Sequence, residues 1–154
     1  MAGMLAAQND ARGRLNLAPL SWSAELTARA EETVREGSLG SCSKFTAETA
    51  GAKDGASVFW APPIRRLDGA GMVQDILPSF LVSEWKTGRA DYDAARGECR
   101  KSGVCEQYSR MVAPSARAVG CAKAVCDSHG QVWACLYSDG EAGSPPDLRR
   151  RQGD

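Results

Sequence analysis

Apolar residues recur at helical spacing in the first part of the chain and cluster into strand-like runs in the last third. Met4, Ala7 and Ala11 form one stripe, which predicts a helix over residues 4–13. Leu15-Asn16-Leu17-Ala18-Pro19-Leu20 reads as a connector whose apolar residues pack inward. A stronger helix is predicted from Ser23 to Glu36, with Ser23 as N-cap. There Trp22, Leu26, Ala30 and Val34 share a stripe beside the charged Glu25, Arg29, Glu32 and Arg35, and Gly37 and Gly40 end the pattern.

Residues 41–54 are small and polar, a predicted loop anchored by Cys42. Ser57-Val58-Phe59-Trp60-Ala61 reads as a short extended segment stopped by Pro62-Pro63. A third helical region is expected over residues 70–87 through Met72, Val73, Ile76, Leu77, Phe80, Leu81 and Trp85. Pro78 inside it predicts a kink or a second helix starting there. A short helix follows Cys105, using Tyr108, Met111 and Val112. Residues 118–126 and 131–137 are β-like runs joined by the turn sequence Asp127-Ser128-His129-Gly130. Helices first and a hairpin last predict an α+β domain over residues 4–140, followed by an extended or flexible tail, 141–154, that holds Arg149-Arg150-Arg151.

Composition narrows the functional classes. Lys plus Arg equals Asp plus Glu at 19 each, so no overall field favours nucleic acid or an anionic membrane. No apolar run is long enough to span a bilayer. Met1-Ala2-Gly3 leads straight into the first amphipathic segment, so a mature form with its targeting segment removed is expected. The six cysteines, Cys42, Cys99, Cys105, Cys121, Cys126 and Cys135, change the picture most. An even number in a short chain suggests disulfides and an oxidising compartment. Zinc would usually need close Cys/His pairs, which these spacings lack, and His129 is the one histidine. Spacing alone leaves every pairing of the six open.

Several phrases carry a resemblance. Gln8-Asn9-Asp10-Ala11-Arg12 followed by Pro19-Leu20-Ser21-Trp22 is similar to the H-N-x-x-R and P-L-x-W phrases of the CAP superfamily: cysteine-rich secretory proteins, antigen 5 and plant pathogenesis-related group one. From Cys99 to Cys135 the chain reproduces the plant spacing C-x5-C-x15-C-x4-C-x8-C. Within it, Cys105-Glu106-Gln107-Tyr108-Ser109-Arg110 resembles C-G-H-Y-T-Q. Val119-Gly120-Cys121-Ala122 and Cys135-Leu136-Tyr137 resemble V-G-C-A and C-N-Y. The resemblance implies a three-layer αβα sandwich with a central antiparallel sheet, and the pairings Cys42–Cys126, Cys99–Cys105 and Cys121–Cys135.

It also implies a cleft where many relatives place two histidines and two glutamates, and where some bind zinc. On this alignment Gln107 stands for one histidine, and Ala56, in Gly55-Ala56-Ser57, for the G-E-N glutamate. Gly88 stands for the glutamate after the helical tryptophan, and the second histidine has no counterpart in residues 45–54. No metal ligand set and no catalytic residue is therefore expected, and no cofactor. The expected ligand-binding cleft comprises Gln107, Ala56, Ser57, Gly88, Glu84, Tyr108, Arg110 and Trp60, roomier and less polar than in relatives. Glu84 shares the face of Gly88, although a solvated glutamate is its plainer reading; the same holds for Glu48. His129 reads as an exposed turn residue.

Two functions follow. The first is a secreted or periplasmic, non-catalytic domain binding a lipid, sterol or other small apolar ligand, or a peptide or protein partner, with Phe59 to Ile64 as the candidate contact surface. The alternative is a hydrolase with an unusual site built from Glu84, Glu106, Asp91 or Arg110, or a structural envelope-associated protein. Neither nucleic-acid binding nor a membrane span is expected.

Overall fold

A computed structural model describes residues 1–38, 42 and 55–138 of the chain. The loop expected over 43–54, Glu48, the end of the domain at residues 139–140 and the tail 141–154 with its arginine run lie outside these residues.

The long hairpin organises everything else. β7 (Ala118–Val125) pairs antiparallel with β8 (Gln131–Ser138), and β8 pairs antiparallel with β2 (Ser57–Ala61). The two-residue β1 (Ser21–Trp22) adds to β7 in parallel, giving the order β1-β7-β8-β2. The sheet is thus antiparallel through its three longer strands and mixed at one edge. Side chains alternate along it. Val119, Cys121, Trp133 and Cys135 face one core; Ala122, Val132, Ala134 and Leu136 face the other.

Helices cover both faces. α2 (Ala24–Gly37) lays Leu26, Ala30 and Val34 on the second core. Ser23 caps it, its hydroxyl accepting from Leu26 N at 3.1 Å. A methyl at Gly120 would sit 2.2 Å from Thr27 N, so only glycine lets α2 approach the strand this closely. On the opposite face lie α1 (Met4–Gly13), α3 (Pro78–Lys86) and α4 (Val104–Met111), which contribute Met4, Ala11, Leu81, Val82, Trp85, Tyr108 and Met111. This is the expected α+β sandwich of three layers. Its disulfides are Cys42–Cys126, Cys99–Cys105 and Cys121–Cys135, the pairing that the resemblance implied.

Three expectations about local structure need correction. The first half of the 70–87 region is not helical. Ile64–Arg65 (β3) pairs with Gly71–Met72 (β4) as a small hairpin, and residues 73–77 run on without regular structure to a helix that begins at Pro78. Pro78 holds Leu77 extended at ψ 144°, and the turn at Asp68-Gly69 uses a glycine at φ +88°. Gln74 anchors the stretch: its Nε2 donates to Pro62 O, and its carbonyl accepts from Gln131 Nε2. Trp22 is not on the buried stripe of α2; it lies in β1 and is exposed. In the connector, Leu20 packs inward but Leu15 is exposed. Between α3 and α4 run a 3-10 turn (Thr87–Asp91) and the two-residue pair β5 (Tyr92–Asp93) and β6 (Glu98–Cys99).

Candidate functional site

Gln107 is 2% exposed, in the middle of α4. Its Oε1 accepts the Val58 N–H at 2.9 Å, while Trp85 Nε1 donates to the Val58 carbonyl at 3.2 Å. β2 is an edge strand, and side chains of α3 and α4 together satisfy the outward backbone groups of Val58. Two residues earlier, just before β2 begins, Arg110 Nη1 donates to the Ala56 carbonyl at 3.3 Å. Burial lowers the Arg110 pKa, against opposing effects of Glu106 and Tyr137.

Ala56 is fully buried in the α2-side core. Gly88 is buried too, and a Cβ there would lie 2.5 Å from Val104 O and 2.6 Å from Cys105 Cα. The room expected at Gly88 is therefore filled by the first turn of α4. A zinc ion would meet, at these three positions, one amide oxygen already engaged, one methyl group and one glycine. These residues do not fit it. Among the described residues, no three His, Cys, Asp or Glu side chains stand together as a metal-ligating group.

The remaining expected site residues divide. Ser57 and Tyr108 are buried. Ser57 Oγ has no hydrogen-bond partner of good geometry, although it lies near enough to the Tyr137 hydroxyl to favour the phenolate slightly. Tyr108 packs edge-on against Tyr92 at 5.4 Å, and burial raises its pKa despite Arg89. Trp60 is 38% exposed, with its indole N–H 3.2 Å from Cys42 Sγ. Glu84 and Glu106 are exposed on α3 and α4, and Asp91 faces Lys101 at 3.9 Å. His129 is exposed in the hairpin turn at φ 70°.

The sequence reading missed a buried polar group on α1. Gln8 Oε1 accepts from the Tyr137 hydroxyl at 2.8 Å, while Gln8 Nε2 lies 3.5 Å from Cys135 Sγ and 3.8 Å from Cys121 Sγ. Burial drives the Tyr137 pKa far up, well beyond what the Gln8 hydrogen bond offsets. Asn9 clasps Leu20, donating to its carbonyl at 3.0 Å and accepting from its N–H at 2.7 Å. Arg12 is fully buried and forms no ion pair with any described carboxylate. Its guanidinium donates to the carbonyls of Ala18, Met111, Ala113 and Ala116. The signal was in plain sight, since Gln8, Asn9 and Arg12 are the fixed positions of the phrase that opens the resemblance.

Comparison with known proteins agrees with this architecture. A profile of the cysteine-rich secretory protein family matches residues 5–137. The pathogenesis-related protein PRMS of Zea mays is 28% identical over 134 residues, covering 86% of this chain and 72% of that protein. Pathogenesis-related protein 1 of Arabidopsis thaliana is 28% identical over 133 residues, with the same coverage. Among solved structures, the hookworm platelet inhibitor superposes with a TM-score of 0.62 at 13% identity, covering 95% of this chain and 68% of that one. Venom allergen-like protein 4 of Schistosoma mansoni gives 0.58 at 14% identity, with 87% and 84% covered. Fold, disulfide frame and profile together place this chain in the cysteine-rich secretory protein (CAP) family.

Proposed function

We propose that this chain is a non-catalytic extracellular binding domain. One observation carries the reading: Gln107, Ala56 and Gly88, which the resemblance aligns with ionisable cleft residues of relatives, are each committed to packing or to backbone hydrogen bonding. General acid–base catalysis needs a group that can hold and release a proton at the reacting atom, and none of these three can. Three disulfides suit an oxidising extracellular setting.

The ligand this reading favours is apolar, an acyl chain or sterol, ahead of an apolar patch on a protein partner. Trp60, Ile64, Met72, Leu77 and Phe80 are all exposed along β2, the β3–β4 hairpin and the start of α3. Phe59, half-buried, meets Phe80 edge-on at 6.4 Å. Trp60, beside Cys42, lies on the other face of β2, so exposed apolar side chains flank this edge strand on both faces, and such side chains favour burial against a partner. A structure of this fold bears the name platelet inhibitor, which agrees with the scaffold serving in recognition.

The test is lipid extraction and mass spectrometry on protein purified with its disulfides intact, beside elemental analysis for zinc. Recovered lipid that disappears in a Trp60→Ser, Phe80→Ser double variant supports the reading. Stoichiometric zinc together with a hydrolase activity lost in Glu84→Gln overturns it, and a protein that never carries or shifts with lipid removes the apolar ligand.

A further inference from the structure

A second surface, on the helical face, has a different chemistry. The end of α1 supplies Ala11, and the residues just after it Arg14 and Leu15; the end of α3 and the turn after it supply Lys86 and Arg89; α4 supplies Tyr108. Together they line a half-open cavity of about 290 Å³. Three of its six lining residues are cations, in a chain whose formal charge sums to zero. Arg14 is held by Asp10 at 3.0 Å. Lys86 and Arg89 are exposed and form no ion pair with any described residue.

Cations at helix C-termini are favoured by the helix dipole, so one such residue would need no other account. Here the cations come from separate segments to line one concavity. Nothing in folding requires that arrangement, because like charges brought together cost energy. Leu15, Ala11 and the ring of Tyr108 give the cavity a wall with apolar and aromatic character. The Arg89 charge is felt at that ring, since it pulls down the pKa of the Tyr108 phenol against the effect of burial.

We propose that this cavity binds a phosphate monoester dianion, with the attached organic group against Leu15 and Tyr108. The charge arithmetic selects the dianion: three cations, with Asp10 compensating one, leave two positive charges to be met. The arginine guanidinium matches phosphate oxygens with paired N–H donors, while Lys86 acts as a point charge. The volume lies near the lower bound of small-molecule sites and suits a compact ligand. The phosphate can belong to a soluble ester or to a lipid headgroup. This assignment is independent of the apolar surface around Trp60.

The experiment is a calorimetric titration of the intact, disulfide-bonded protein with phenyl phosphate at pH about 7.5, where the monoester is largely doubly ionised. Phenyl sulfate, a monoanion of similar shape, serves as comparison, and flotation with phosphatidic-acid vesicles against phosphatidylcholine vesicles forms the lipid arm. Saturable phenyl phosphate binding, weaker for the sulfate and reduced on the order of tenfold by either Lys86→Glu or Arg89→Glu, is the expected result. The control Arg29→Glu, on α2 in the opposite layer, leaves binding unchanged. Vesicle binding with the same variant dependence but no phenyl phosphate binding assigns the phosphate to a lipid. Absence of both, equal binding of sulfate and phosphate, or an equal loss in Arg29→Glu overturns the proposal. Both variants alter exposed side chains, and unchanged circular dichroism and melting temperature confirm that folding is not the cause.

Discussion

Replacing Arg12 tests whether one buried cation ties the helical layer to the chain that leads into the sheet. Its guanidinium donates to Ala18 O at 2.8 Å, Met111 O at 3.0 Å, Ala113 O at 2.9 Å and Ala116 O at 3.3 Å. These carbonyls belong to the connector after α1 and to the end of α4 and the loop beyond it, so one side chain joins three segments. No described carboxylate pairs with it, and burial, followed by the nearby Arg117 charge, lowers its pKa. The bonds to Met111 and Ala116 are buried. Each carbonyl stranded there costs about 1–3 kcal/mol, and the partly buried pair adds less. Arg12→Met keeps most of the stem packing but loses every donor, so a loss of about 3–5 kcal/mol is expected, a large part of the total stability of a domain. Arg12→Lys keeps the charge but not the planar fork, and should fall between the two. Urea unfolding of the oxidised protein, followed by the fluorescence of buried Trp85 and Trp133, measures all three. Arg14→Ala, which removes only an exposed pair with Asp10, should cost less than about 0.5 kcal/mol. An Arg12→Met variant within 1 kcal/mol of the parent, roughly the worth of one ordinary hydrogen bond, would refute the reasoning.

Three further outcomes follow from the same geometry. Gly88→Ala should destabilise by about 2 kcal/mol in the same urea experiment, because its methyl meets the backbone of Val104 and Cys105; Gly13→Ala, with open space around it, should not destabilise. Removing Cys42–Cys126 should cost about 4.5 kcal/mol and Cys99–Cys105 about 2 on loop-entropy grounds, given sequence separations of 84 and 6; calorimetry giving the reverse order would contradict this. Tyr137 has a folded pKa raised above the ordinary phenol value of 10.0, so its contribution to stability is complete below that pH and declines as pH rises past it. Tyr137→Phe should therefore lower stability by about 1 kcal/mol at neutral pH, through the lost bond to Gln8, and flatten the alkaline decline seen by denaturant titration.

Much of the fold was legible in the chain itself, for local reasons. The cap at Ser23, the four-residue stripe of Leu26, Ala30 and Val34, and the turn between two β-rich runs are short-range chemistry, and the structure bears them out. The cysteine spacing carried the family resemblance and, through it, the disulfide pairing. Periodicity failed where tertiary contacts overrode it. Met72, Val73 and Ile76 fit a helical stripe, but the chain there is fixed by pairing with Ile64–Arg65 and by the bonds of Gln74 to Pro62 and Gln131, partners that all lie outside the 70–87 pattern. On the resemblance, the chain is expected to hold an amide, a methyl and a glycine at the cleft positions Gln107, Ala56 and Gly88, since a side-chain type is a local fact. Only the tertiary structure decided what those residues do instead: cap an edge strand, fill a core, and admit the first turn of α4. The same holds for Arg12, whose four acceptors come from distant segments, and for Arg14, Lys86 and Arg89, which no spacing rule brings together. Local pattern determines which element forms; the packing of elements determines which side chains meet, and binding depends on the meeting.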